Sequence, residues 1–186
     1  MDWKSVYESA LPYEAYLQEH GTEKDQQRWA ASLAAAELDN DQKTLLGSFT
    51  RKMYLLGMSG AWCGDCVESC PVFRQFELAC PNIEMRFIDR DKDPAVKAAL
   101  TIVGASRVPQ TLVLSEDFLV VDRLGDRPLS KYRDLAARVS GAACSTGLII
   151  PGDPLRLAVI QDWLDEVERC QWILRTSPSL RERHGD

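Results

Sequence analysis

Trp62-Cys63-Gly64-Asp65-Cys66 follows directly on the apolar run Lys52 to Met58 and opens a stretch, Cys63 to about Cys80, with helical periodicity. Val67, Cys70, Phe73 or Arg74, and Glu77 or Leu78 carry that period, and Phe73, Phe76 and Leu78 add apolar bulk. An unbroken apolar run of strand length suits a strand covered on both faces in a partly parallel sheet. The pattern therefore predicts a buried strand that feeds a helix starting at Cys63. At such a start the unpaired backbone amides and the positive end of the helix favour a thiolate. A mixed disulfide formed at Cys63 would then lie within reach of Cys66, which can attack it and release a reduced product.

The pattern continues on both sides. Downstream, Ile83, Met85, Phe87 and Asp89 alternate as a strand, and a short helix opens at Pro94 after the charged turn Asp89 to Asp93, capped by Asp93. Thr111 to Leu114 and Phe118 to Leu124 read as an antiparallel hairpin across Ser115-Glu116-Asp117, with a helix from about Leu129 to Val139 behind it. Upstream, Asp2 to about Ser48 predicts two or three helices, with Trp29, Leu33 and Ala36 on one face and boundaries at Pro12, at Gly21 and at Asp39-Asn40-Asp41. Gly141 to Pro154 breaks all periodicity and reads as a long loop. Ile160, Trp163, Leu164, Val167, Cys170 and Leu174 trace the apolar stripe of a last long helix, and the polar tail Ser177 to Asp186 is predicted to fray.

Composition narrows the function. The 186 residues carry 22 basic and 28 acidic side chains, a net charge of -6, and show no basic stripe of the kind a nucleic-acid phosphate backbone requires. No apolar run approaches the length of a membrane span and no export signal opens the chain, so a soluble cytoplasmic protein with neither nucleic-acid nor membrane partner is the expectation. In a reducing compartment a Cys-x-x-Cys pair is reactive or metal-binding rather than a staple. A zinc site lacks a second cysteine pair, and His20 and His184 lie near opposite ends as surface residues. An iron–sulfur site built on Cys63, Cys66 and Cys70 lacks its fourth ligand. Cys70, Cys80 and Cys170 are read as packing residues, Cys144 as an inert loop residue, and Trp29, Trp163 and Trp172 as core.

Over roughly residues 48 to 140 the sequence resembles the thioredoxin family, on three features. Trp62-Cys63-Gly64-Asp65-Cys66 looks like the family's active-site loop, Pro71 falls where the family's active-site helix carries its kinking proline, and Val108-Pro109 precedes a strand as the family's cis-proline does. The resemblance implies an α/β thioredoxin-like fold, a central mixed sheet of about four strands flanked by helices, with extra N-terminal and C-terminal helices. Residues 49–140 would form that domain, 1–48 a helical extension packed on it, and 141–186 a loop and a last helix.

It further implies a thiol–disulfide oxidoreductase, with Cys63 as nucleophile, Cys66 as resolving thiol and a cis Pro109 facing the sulfurs, where its imide nitrogen has no proton to offer them. Trp62, Gly64, Gly104 and Val108 would make the substrate rim, the Val108 backbone pairing with an extended segment. No cofactor is implied beyond the redox-active disulfide Cys63–Cys66, and the partners are protein disulfides and a thiol or reductase that returns electrons. The alternative is a non-catalytic or redox-sensing adaptor on the same fold.

Two positions depart from the family. Asp65 stands where the commonest thioredoxins carry proline, and Gly57 where they carry a buried acid that relays protons. A carboxylate about 4 Å from a thiolate disfavours it by about 1 kcal/mol in water and about 4 kcal/mol at an effective dielectric near 20. The helix terminus returns about 0.3–1 kcal/mol. With Asp65 on a solvent-facing first turn the screened end applies, which predicts a moderately acidic Cys63, with Asp65 or water supplying protons to Cys66.

Overall fold

The computed structural model describes residues 1–138 and 153–185, so Cys144 and most of the predicted Gly141–Pro154 loop fall outside the described residues. Four strands, β1 (Met53–Ser59), β2 (Ile83–Asp89), β3 (Gln110–Leu114) and β4 (Val120–Leu124), form one sheet in the order β2-β1-β3-β4. β1 lies parallel to β2 and antiparallel to β3, and β3 pairs antiparallel with β4, the register shifting at Val113/Leu114. β1 is thus central, as its unbroken apolar run predicts. All five β3 residues are also buried, whereas β4, one of the two edge strands, has mainly half-buried and exposed side chains.

Helices cover the sheet: α5 (Gly64–Ala79) follows β1, α6 (Pro94–Ala99) follows β2, and α7 (Leu129–Ala137) follows β4. Asp93 caps α6 by accepting from the Ala95 and Val96 amides at 2.8 and 3.1 Å. Pro71 sits inside α5. The N-terminal segment holds four helices rather than two or three: α1 (Trp3–Ser9), α2 (Tyr13–His20), α3 (Glu23–Ala35) and α4 (Asn40–Gly47). Thr22 and Asp39 open α3 and α4 with reciprocal capping boxes, which fix those starts locally.

The last long helix, α8 (Pro154–Thr176), buries all six residues of its predicted stripe. Arg156 of α8 donates to the Ser32 carbonyl and hydroxyl at 3.1 and 3.0 Å and to the Glu68 carbonyl, joining α8 to α3 and α5. Two expectations for this end are corrected. Residues 178–184 form a further helix, α9 (Pro178–His184), instead of fraying, because Ser177 caps it and Leu180 is buried. Trp172 is exposed rather than core, its indole held by Glu168 at 3.0 Å and covered by the Arg175 guanidinium, on the side of α8 away from its buried stripe. Trp29 and Trp163 are buried as predicted; His184 is exposed, and His20 is half-buried against the Tyr16 ring.

Candidate functional site

The end of β1 and the start of α5 build the site. After Ser59 the chain turns through Gly60, Ala61 and Trp62, closed by the Cys63 amide donating to the Gly60 carbonyl at 2.9 Å. Gly60 lets the Trp62 ring lie close: a Cβ there would stand 2.9 Å from it, so any side chain would have to displace the ring. Trp62 is 53% exposed, its ring under the Arg90 guanidinium at 5.0 Å and its carbonyl accepting from Arg28 at 3.3 Å. The Trp29 indole donates to the Ala61 carbonyl at 2.8 Å, so α3 pins the turn from behind.

Cys63 is the N-cap residue of α5, but its sulfur does not cap the helix amides. Its thiol points instead to the Val108 carbonyl, 3.6 Å away, beside a Val108–Pro109 bond that is cis as the resemblance implies. Cys66, fully buried, accepts from the Gly60 amide at 3.5 Å. Cys70, one turn further, is buried as predicted and touches the Ser59 hydroxyl at 3.7 Å. All three thiols are buried, Cys63 at 4% exposure at the turn and Cys66 and Cys70 fully, with Cys70 against the end of β1.

Hydrogen bonding to Cys66, then burial, push the Cys63 thiol well above its ordinary range, with Asp65 adding in the same direction. Burial pushes Cys66 well above the ordinary thiol range as well. The moderately acidic Cys63 read from the sequence is therefore corrected upward. The reason is that this thiol is 4% exposed and hydrogen-bonded to the Cys66 thiol, effects that outweigh the help it receives from the Cys66 backbone amide.

Asp65 is also corrected. It is not on a solvent-facing turn but 4% exposed, and both carboxylate oxygens accept from Arg127, Nε to Oδ1 at 3.2 Å and Nη2 to Oδ2 at 2.6 Å. Arg127 follows β4 and stands against Asp126 at 3.8 Å. Asp126 in turn accepts from Arg107 at 3.3 Å, on the loop ahead of Pro109, and from the Tyr132 hydroxyl at 2.5 Å. Burial raises the pKa of Asp65 while the Arg127 hydrogen bonds oppose the rise. With both oxygens committed to Arg127, Asp65 is a poor proton carrier for Cys66.

Of the other predicted rim residues, Gly64 opens α5 and is buried, and Val108 is brought to Cys63. Gly104 is not packed on the dithiol: it sits at an exposed turn, φ +73°, with no atom within 4 Å of where its Cβ would be. Ser59, Gly60, Arg90 and Arg127 were not singled out from the sequence. Gly60 carried a signal, a glycine just past a strand and ahead of the cysteines, where close approach is the usual reason. Arg127, 62 residues from Asp65, carried none. Among the described residues no cluster of three or more His, Cys, Asp or Glu could hold a metal ion, and no helix is long and apolar enough to cross a membrane.

The family described as Thioredoxin matches residues 11–139. No curated protein matches. Two solved structures share the fold: a protein of unknown function from Pseudomonas aeruginosa, 22% identical with a TM-score of 0.67, covering 91% of this chain and 98% of that one, and an HIV epitope-scaffold, 19% identical with a TM-score of 0.68, covering 91% and 97%.

Proposed function

Because the chain belongs to the thioredoxin family, we propose that it is a thiol–disulfide oxidoreductase exchanging dithiol and disulfide with protein substrates in the cytoplasm. The observation that carries the proposal is the placement of Cys63 at the N-cap of α5 with its thiol on the Val108 carbonyl beside Pro109, and Cys66 directly beneath.

The Cys63 thiolate attacks one sulfur of a substrate disulfide; a mixed disulfide forms and the first substrate thiolate leaves, taking a proton from solvent. Cys66, its proton released to solvent or to that thiolate, attacks the Cys63 sulfur. The Cys63–Cys66 bond forms and the second substrate thiolate departs, so two electrons pass to the substrate. A thiol or reductase donor restores the dithiol. Trp62 and Val108 flank the attacked bond, the Val108 backbone pairing with an extended substrate segment. Val108 N–H and C=O are not spent on the β3 ladder, which starts at Gln110.

The upward push on both thiols lowers the thiolate fraction at neutral pH, which favours a second reading, a redox-sensing adaptor that exchanges slowly. Reduction of insulin by dithiothreitol separates the two. Turnover lost in Cys63→Ser supports the oxidoreductase, whereas a wild-type rate no higher than that variant's leaves only the adaptor. Cys66→Ser should accumulate a mixed disulfide with its partner, identifiable by mass.

A further inference from the structure

The loop between β4 and α7 reaches back to the dithiol turn, and its residues Asp126 and Arg127 touch both chain segments that flank the sulfurs. Arg127 holds Asp65, in the first turn of α5, by two hydrogen bonds of 3.2 and 2.6 Å. Asp126 holds Arg107, one residue before Val108, at 3.3 Å. The pair is not a surface decoration: Asp65 and Asp126 are 4% and 3% exposed, and a bidentate guanidinium–carboxylate contact of this kind fixes orientation as well as charge.

Resting on the dithiol reading above, we propose that Arg127 is a positioning residue for the nucleophile: by taking both oxygens of Asp65 while braced on Asp126, it neutralises the one carboxylate inside the Cys-x-x-Cys loop and locks the first turn of α5 to the segment carrying Val108.

The chemical need is plain. An isolated carboxylate two residues from Cys63 opposes formation of the thiolate that does the attacking. The charged and titratable groups around the two are few. Asp65 faces Arg127, Glu68 and Lys131. Cys63 faces Cys66, Asp65 and the Arg90 guanidinium above Trp62. Lys131 is itself paired with Glu68 at 2.6 Å, so Arg127 is the cation that answers Asp65. The sign follows from the pH at which the thiol titrates. An ordinary carboxyl titrates about four pH units below an ordinary thiol and both are raised here, so the pairing acts on the carboxylate as Cys63 ionises.

The test is the pH midpoint of Cys63 alkylation by iodoacetamide, read by mass on the Cys63 peptide in a Cys66→Ser background. Arg127→Met should move the midpoint up by about half to one and a half pH units, the range given by one unscreened charge several ångströms away. Asp65→Asn should move it down, since Arg127 then acts alone. The double variant Asp65→Asn/Arg127→Met should return to near the starting value, because both charges are gone.

If Arg127→Met does not fold, the comparison of Asp65→Asn with the double variant decides, since neither leaves a buried carboxylate unpaired. Equal midpoints in Arg127→Met and its parent, or in Asp65→Asn and the double variant, overturn the proposal. The readout needs no turnover, so its failure is distinct from failure of the oxidoreductase reading.

Discussion

Replacing Gly57 by alanine is predicted to destabilise the protein, against the ordinary rule that alanine in a strand is better than glycine by about 0.5–1 kcal/mol. Gly57 lies in the middle of β1, opposite Phe87 on one side and Thr111 on the other. A Cβ at this position would stand 2.7 Å from the Met85 Cε and 3.1 and 3.2 Å from two carbons of the Phe87 ring. The Met85 terminal methyl can swing away at small cost, but the ring cannot. Phe87 is stacked on Tyr16 with centroids 5.4 Å apart and meets Tyr13 and Trp29 edge-on at 5.9 and 6.1 Å.

Overpacking of this kind costs about 1–3 kcal/mol. After the strand-propensity gain, the middle of those ranges leaves a net loss of about 1–1.5 kcal/mol. For a chain of this size that lowers Tm by roughly 2–6 °C. Urea unfolding followed by tryptophan fluorescence measures it, with the midpoint expected to fall and the slope to hold. In a Met85→Ala background part of the penalty should vanish, because the nearest atom is gone. A Gly57→Ala protein as stable as its parent would refute the packing argument. It would also reopen the question of whether an acid could be housed there, since a carboxylate needs more room than a methyl and must be desolvated besides.

Two further outcomes follow from buried polar groups. The folded-state pKa of Asp65 is raised above that of an ordinary aspartate, so its contribution to stability is present in full below the ordinary carboxyl range and is lost as pH rises through the folded pKa. Stability profiles of wild type and Asp65→Asn should differ in slope over that window and run parallel above it; identical slopes would show that the carboxyl titrates alike folded and unfolded. Arg156 is nearly buried and serves Ser32 and Glu68 through three hydrogen bonds. Arg156→Met keeps its apolar stem but strands two carbonyls, with an expected loss of about 1–3 kcal/mol in urea unfolding; a variant at least as stable as wild type would show that relief of charge burial outweighs the bonds.

What the sequence reveals and what it conceals divide along physical lines. β1, α5 and β2 were legible because a continuous apolar run, a 3.6-residue period and a two-residue alternation are local signals that burial imposes directly. The same holds for the burial of Cys66 and Cys70, which fall one turn apart on α5. Asp65 was misplaced for the opposite reason. An aspartate in a first helical turn defaults to solvent, and only a partner 62 residues away makes burial tolerable. Nothing in Gly125-Asp126-Arg127-Pro128 advertises that partner, because its spacing reads as an ordinary turn. The Cys63 thiol was misjudged likewise: a helix start promises amides to a sulfur, but which way the sulfur turns is set by the Val108 carbonyl on a distant loop.

The N-terminal segment is where these strands of argument meet. Leu11 exchanges both backbone hydrogen bonds with Phe87, at 2.9 and 2.7 Å, and so covers part of the outer edge of β2 that would otherwise be left unpaired. The family match likewise begins at residue 11, ahead of the 49–140 core outlined by the motifs. From that anchor α2 brings Tyr16 onto Phe87, and α3 brings Trp29 onto both Phe87 and the Ala61 carbonyl. Phe87 and Met85 of β2 fill the space over Gly57, and the rings that hold Phe87 there come from the extension, so the volume a proton-relaying side chain would need is closed from both. Close to that side of the dithiol stand the Ser59 hydroxyl, on Cys70, and the Tyr16 hydroxyl, buried and near enough to feel Ser59, Cys66, Cys70 and the Asp89 carboxylate. On the proposed dithiol exchange, a glycine at 57 leaves no side chain there to take the Cys66 proton, so that proton would leave past Cys63 or with the substrate thiolate, and the extension that covers the β2 edge also keeps position 57 closed to an acid.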